Sequence, residues 1–426
     1  MNNGDASSRD SPDAPAERAH QQRPFWTLWS ASAISTLGDG LRYVAFPLLA
    51  AGLTSDPRAI AVVFTAGYLP WPLFGLLGGA VVDRHDRRTI MWTTDTLRAV
   101  AVAALTAILI TSGGTILTLA AASFVLGTAE TLFDNAASAL VPQLVGADAL
   151  DRANSRLLAV QTLNTTLIGA PLGAALYGLA PSLPVGADAV SFASAAALMW
   201  SLPGRYGPTA RTRRTTLARD IAAGLRWLWR HQFLRTACLL LIVINGTLGA
   251  AEAVLVLYSR DTLGLSNVGY TALLVTLAVG GIAGTLLAPP LQRRIDLGPI
   301  VVAAALGQAA ALLAAGLTSQ LAIALAAMAT VGASSASWNV VTISYRQLAV
   351  PAELLGRVTS SYRVVALSVM PLGAAAGGLI AHQWGLHAPY LLGGIALTAA
   401  TALATRWLRT PTRVPRDARA AAAGQP

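Results

Sequence analysis

Long apolar runs separated by short polar breaks dominate this chain, and twelve of them reach the ~20 mostly apolar residues that a helix needs to cross a bilayer. They cover roughly 25–51, 58–82, 90–112, 115–139, 157–180, 184–202, 236–258, 267–290, 299–317, 320–344, 358–381 and 387–408. The pattern predicts an all-α integral membrane protein. One break is longer than the rest. Residues 203–235 begin with Pro203, Gly204 and Pro208 and continue with Leu217, Ile221, Leu225 and Leu228 at helical spacing, with Arg219, Arg226 and Arg230 interleaved. This segment is expected to be a cytoplasmic central loop carrying an interfacial amphipathic helix, between an N-terminal bundle over 24–202 and a C-terminal bundle over 236–409.

Composition supports that reading, since 54% of residues are hydrophobic and only 12% are charged, against about 25% charged in a soluble domain. All thirty basic side chains are Arg, which excludes a Schiff-base lysine. Twenty-six of them fall on alternate breaks: three before the first run, Arg84, Arg87 and Arg88 after the second, Arg152 and Arg156 after the fourth, and eight from Arg205 to Arg235. Arg293 and Arg294, then Arg346, Arg357 and Arg363, then five from Arg406 onward complete the set. The opposite breaks hold Arg58 and Arg260, while Arg42 and Arg98 lie within runs. The positive-inside rule therefore predicts a multi-pass protein of the cytoplasmic membrane with both termini in the cytoplasm. Topology accounts for the net charge of +10, and no nucleic-acid partner is expected. Residues 1–23 and 410–426 are expected to be disordered cytoplasmic tails, and the first run to be a retained helix rather than a cleaved signal. The single cysteine, Cys238, permits neither an intramolecular disulfide nor a Cys-based metal site.

Shifting the second half back by 205 positions superposes Gly75 on Gly280, Gly79 on Gly284, Arg88 on Arg293, Gly127 on Gly332, Asp148 on Glu353 and Arg152 on Arg357. Farther on, Pro171-Leu-Gly-Ala174 meets Pro371-Leu-Gly-Ala374. A duplication is the economical explanation, so the twelve transmembrane helices are expected to form two pseudo-symmetric six-helix bundles, as in many secondary transporters. Pro171 and Pro371 are the candidate kinks.

The loop after the second run reads Gly79-Ala-Val-Val-Asp83-Arg84-His85-Asp86-Arg87-Arg88. It resembles the signature loop of the major facilitator superfamily, Gly-x-x-x-Asp-Arg-x-Gly-Arg-Arg, with Asp86 in place of the second Gly. Asp95-Thr-Leu-Arg98 and Leu150-Asp-Arg-Ala-Asn154 extend the resemblance toward the drug and siderophore exporter branch, which includes macrolide and enterobactin efflux proteins. By that resemblance Gly79, Asp83, Arg84, Arg87 and Arg88 belong to a cytoplasmic gate between the halves, with Asp95 and Arg98 as a structural pair supporting it. On physical grounds Gly79 would let the second helix approach a neighbour closely. Asp83 calls for a positive partner, either Arg84, Arg87, Arg98 or the N-terminal end of the eleventh helix.

Ionisable residues read within the runs are Asp39 and Arg42 on the first, Asp95 and Arg98 on the third, Glu130 and Asp134 on the fourth and Glu252 on the seventh. Each must line water, find a partner or be protonated, because a charge at the bilayer centre costs at least about 2.5 kcal/mol. In the superfamily, helices 1, 4, 7 and 10 face the central cavity. Apart from the third-helix pair, every charge in that set falls on one of them. Asp39 and Arg42 share a face and are the expected ion pair that a proton or substrate breaks. Glu130 and Asp134, four apart, are crowded enough that one of them is expected to hold a proton. Ser335, Trp338 and Asn339 on the tenth run supply a polar and aromatic wall for an amphipathic ligand. The five histidines lie in tails or loops, so any proton relay is expected to use carboxylates.

No phosphate-binding glycine loop, catalytic triad or metal-ligand spacing occurs, so no cofactor, metal or enzymatic activity is expected. These features predict a secondary active transporter that exports a small amphipathic compound (an antibiotic, drug or siderophore) by proton antiport, working as a monomer in the lipid bilayer. The alternatives are an importer or lipid flippase on the same fold, and a transport-inactive sensor or scaffold acting through its Arg-rich central loop.

Overall fold

The computed structural model describes residues 14–146, 149–207 and 217–408, and every regular element among them is helical. The first span is α1 (Ala14–Leu53), so residues 14–23, expected in a polar tail, continue the first helix. The second is broken into α2 (Pro57–Tyr68) and α3 (Pro70–Val82) at Leu69, where Pro70 removes a backbone donor. The third and fourth are α4 (Arg87–Ser112) and α5 (Ile116–Leu144). The fifth runs through α6 (Leu150–Thr162), a π-helical stretch (Leu163–Ile168) and α7 (Gly169–Leu179), and α8 (Leu183–Ser201) is the sixth. The interfacial helix α9 (Leu217–Arg230) follows.

The second half repeats the scheme with α10 (Gln232–Leu257), α11 (Asn267–Arg294), α12 (Leu297–Leu317) and α13 (Leu321–Ala349). Its eleventh span is split into α14 (Ala352–Ser368) and α15 (Met370–Trp384), and α16 (Ala388–Leu408) is the twelfth. Ten of these spans are long and apolar enough to cross a membrane by composition alone. The charged α1 and the broken α2–α3 pair bring the crossings to twelve. An outward belt that includes Val100, Leu117, Leu158, Leu286, Leu372 and Leu403, each more than 60% exposed, is the surface that lipid covers.

Helix neighbours repeat between the halves. The first span packs on the fifth as the seventh does on the eleventh, the second on the fourth as the eighth on the tenth, and the third on the sixth as the ninth on the twelfth. Across the boundary, the second span meets the eleventh and the fifth meets the eighth. Both proline positions coincide with a disturbed helix, the π stretch before Pro171 and the break at Val369 before Pro371. Next to each, a glycine lets two backbones touch. A Cβ on Gly173 would come 2.6 Å from the Leu41 carbonyl oxygen, and one on Gly373 would overlap the Gly246 carbonyl.

Gly79 behaves otherwise. The sequence reading gave it a close neighbour, yet a Cβ there would meet nothing within 4 Å, whereas its counterpart Gly284 is pressed against Ala333. The end of the second span is free of the opposite half at this position. The helix α9 packs on the far half. A Cβ on Gly224 would come 2.5 Å from the Arg357 carbonyl oxygen, and Leu228 is fully buried while Arg226 and Arg230 are exposed.

Valine at Gly173 is therefore expected to overpack the first and fifth spans and to destabilise the bundle by roughly 1–3 kcal/mol. Alanine at Gly79 should leave the melting temperature in detergent unchanged. Equal melting temperatures for the two variants would contradict this packing.

Candidate functional site

Three side chains from two helices meet inside the N-terminal half. Arg42 Nη2 donates to Asp39 Oδ1 at 2.6 Å along α1, and its Nε lies 3.3 Å from Asp188 Oδ2 on α8. The second approach is off line for a hydrogen bond, so its attraction is Coulombic. Asp188 is fully buried, while Asp39 and Arg42 keep 24% and 18% of their side chains exposed. Ser191, one turn on, donates to the Asp188 backbone carbonyl at 2.8 Å and sits 3.4 Å from its Oδ1.

A second cation lies beside this node. Arg98 Nη1 contacts Asp95 Oδ1 at 3.4 Å, and its guanidinium stacks 5.0 Å from the Phe133 ring and 5.2 Å from the Phe192 ring. Arg98 sits eleven residues, about 16 Å, along α4 from Arg87. That depth places the Asp95–Arg98 pair among the aromatics of α5 and α8 rather than at the loop whose gate it was expected to support.

Two adjoining cavities border these charges. The first, about 310 Å³, is lined by Asp39, Arg42, Tyr43, Tyr68, Trp71 and Glu130 among others. The second, about 680 Å³, runs between the halves and is lined by Glu130, Asp134, Asn245, Ser335, Trp338, Asn339 and Arg346, reaching Gln347 and Leu355 at the Arg-rich face. Tyr68, Trp71 and Glu130 line both. The break at Leu69 separates the helices that carry those two aromatics. On the wall of α13, Ser335 donates to Gln308 at 3.2 Å, which fixes its hydroxyl, and Trp338 is 2% exposed.

At the opposite face the halves are joined. Glu252 on α10 accepts from Tyr43 at 2.9 Å and from Tyr68 at 3.3 Å, so one carboxylate ties the seventh span to the first and second. Arg260 donates to the Ala51 carbonyl at 2.5 Å and to the Ser55 hydroxyl at 3.0 Å. His382, placed in α15 rather than in a loop, lies 3.4 Å from Asp56. The Arg58 guanidinium beside Asp56 holds that carboxyl below its usual range. A Cβ on Gly378 would overlap Ala61, so α15 and α2 are in backbone proximity.

The signature loop is engaged within its own half. Asp86 caps α4 by accepting from the Thr89 amide at 3.0 Å and from the Tyr206 amide at 2.6 Å. Arg87 Nη1 donates to the Gly207 carbonyl at 2.9 Å, and Arg88 donates to the carbonyls of Met199, Trp200 and Gly204. Arg88 thus satisfies orphan carbonyls in the last turn of α8, and Arg87 holds the segment that follows it. Asp83 and Arg84 are exposed, and none of the expected partners pairs with the Asp83 carboxylate among the described residues.

Sequence reasoning missed two charges. Asp188 overturns the statement that the charges outside the third helix fall only on helices 1, 4, 7 and 10. Its signal was present, as an acid five residues inside the sixth apolar run. Arg346 was counted with the loop cations, but α13 runs on to Ala349 and buries it to 7% exposure.

Comparison with known proteins is consistent across the whole length. A family model described as transmembrane secretion effector matches residues 15–422. The chain is 27% identical to the multidrug efflux pump Tap of Mycolicibacterium fortuitum over 86% of its own length and 91% of that protein. It is 23% identical to macrolide efflux protein A of Streptococcus pyogenes, covering 87% and 92%. Among solved structures it resembles the nucleoside transporter NupG (TM-score 0.74, 11% identity, 91% of this chain and 99% of that one). It also resembles a bacterial homologue of the iron transporter ferroportin in an inward-facing state (TM-score 0.73, 18% identity, 91% and 99%). At these identities the solved structures show the fold alone.

Breaking a buried pair outright typically costs about 3–5 kcal/mol, but Arg42 keeps Asp39 when Asp188 is removed. Asp188→Ala is therefore expected to lower stability by less than that, on the order of 1–2 kcal/mol, and adding Arg42→Gln should recover part of the loss. Unfolding in detergent micelles checks this, and an unchanged midpoint for Asp188→Ala would remove the node from the fold.

Proposed function

Because the chain belongs to the transmembrane secretion effector family of the major facilitator superfamily, we propose that it exports small amphipathic compounds from the cytoplasm in exchange for protons. The names of its relatives, a multidrug efflux pump and a macrolide efflux protein, support the direction and the cargo class. One observation carries the coupling: Glu130 lines both the cavity that holds Asp39 and Arg42 and the cavity between the halves. A cationic cargo in the large cavity and a proton reaching Glu130 therefore compete for one carboxylate. The same proton changes the field on Arg42, whose two acids share its charge.

The Arg-rich face is the cytoplasmic one in this reading, and both termini lie on it. The arrangement is then inward-facing, with the outer side held by Glu252, Tyr43 and Tyr68 and by the approach of α2 to α15. Outward opening is rocking of residues 24–202 against 236–409, which releases Glu252 from the two phenols and closes the inner side. The open space at Gly79 is where the eleventh span arrives, and the exposed Asp83 then faces the positive end of α14. A monomer suffices, since cavity and node are built within one chain.

The test uses purified protein in proteoliposomes with an acidic interior. Ethidium should accumulate inside as protons leave, and Glu130→Gln and Asp39→Asn should each cut that accumulation by about tenfold or more while ethidium exchange without a gradient persists. Normal gradient-driven accumulation in both variants would sink the coupling scheme. Accumulation driven by the reverse gradient would instead support an importer.

A further inference from the structure

Among the described residues that line the large cavity, Arg346 is the only cation, and it shares the lining with two acids from the other half, Glu130 and Asp134. Its situation differs from that of the other buried arginines. Arg42 has Asp39 and Asp188, Arg98 has Asp95, and Arg87 has the carbonyls of Tyr206 and Gly207. Arg346 is 7% exposed and its Cζ lies 4.0 Å from the centre of the Tyr362 ring; its Nη1 has no hydrogen-bond partner, as is also true of one nitrogen on each of the other three. No carboxylate of the described residues lies within ion-pair distance of it.

Two further donors stand in the same wall. Trp338 and Tyr362, 2% and 4% exposed, line the cavity with Arg346, and Tyr362 is the neighbour that both the Arg346 guanidinium and the Trp338 indole approach. None of Arg346 Nη1, Trp338 Nε1 and Tyr362 Oη makes a well-aligned hydrogen bond, whereas buried donors are ordinarily satisfied. A cluster of donors that carries a full positive charge is complementary to an oxyanion. A guanidinium matches a carboxylate through two parallel N–H donors, which sets direction as well as attraction.

We propose that Arg346, with Trp338 and Tyr362, is an anion subsite of the cavity. It receives a carboxylate of the cargo while Glu130 and Asp134 on the facing wall receive its amine. The favoured cargo is then a zwitterionic amphipath whose apolar body lies between the two halves. This rests on the reading of the cavity as the cargo site. It assigns Arg346 to ligand binding, where the sequence had read the residue only as a sign of topology.

Equilibrium dialysis of the purified full chain in detergent micelles tests it with three probes: norfloxacin, which carries an amine and a carboxylate; its methyl ester, which keeps only the amine; and ethidium, a cation with no acid. The wild-type chain should bind norfloxacin more tightly than the ester. Arg346→Gln should weaken norfloxacin binding by about tenfold and leave the ester and ethidium within about twofold. Arg346→Lys should retain part of the norfloxacin affinity, and Trp338→Phe, which keeps the ring and removes the donor, should weaken norfloxacin alone. Equal losses for all three probes, or equal wild-type affinities for norfloxacin and its ester, would overturn the anion subsite and leave the exporter reading standing. Absence of binding by all three would overturn both.

Discussion

A charge placed in the interior of a membrane protein must find an opposite charge, line water or be neutralised, and the N-terminal half of this molecule is arranged around the first of these. Arg42 sits between Asp39 on its own helix and Asp188 on the sixth span, so the first and sixth spans are joined by a Coulombic contact that neither can give up alone. Arg98 adds a second cation, flanked by Asp95 and by the rings of Phe133 and Phe192 from the fourth and sixth spans. Four of the six helices in that half thereby meet at one electrostatic centre. Both halves press backbone against backbone at glycines, Gly173 on Leu41 in the first and Gly373 on Gly246 in the second. The duplicated scaffold thus shares its close packing, and among the described residues the ion pairs of its interior lie in the N-terminal half.

The contacts between the halves are of two kinds. At the face away from the arginine-rich loops the Glu252 bonds to Tyr43 and Tyr68 stand beside a close approach of α15 to α2 at Gly378 and Ala61. A hydrogen bond to a carboxylate contributes a net of about 1.5–3 kcal/mol, so the two phenols fix Glu252 against the N-terminal half.

Much of this was legible in the chain. Twelve apolar runs, the repeat and the charge alternation are one-dimensional signals, and the helix pairings repeat between the halves as the duplication implies. The Asp39–Arg42 spacing read directly as a contact because both residues lie on one helix. What failed to show were facts that need a second element. Asp188 matters only because α8 brings it to Arg42, and Arg346 is a cavity residue only because α13 overruns its apolar core by five residues beyond the 344 boundary. The empty space at Gly79 is likewise a fact about what lies beside the helix end, which no motif encodes. Asp86, a departure from the family loop, finds its reason in a helix cap and in the Tyr206 amide, 120 residues away in sequence.

That last contact has a mechanical consequence. Asp86, Arg87 and Arg88 fasten the chain to the N-terminal half as far as Gly207, and α9 fastens it to the C-terminal half from Leu217. The two attachments, at Gly207 and Leu217, are thus much closer in sequence than the ends of the break in hydropathy. Ten residue steps, fully extended, span at most about 35 Å. The clasp on one side and the amphipathic helix on the other make that length an upper bound on the distance between the two attachment points.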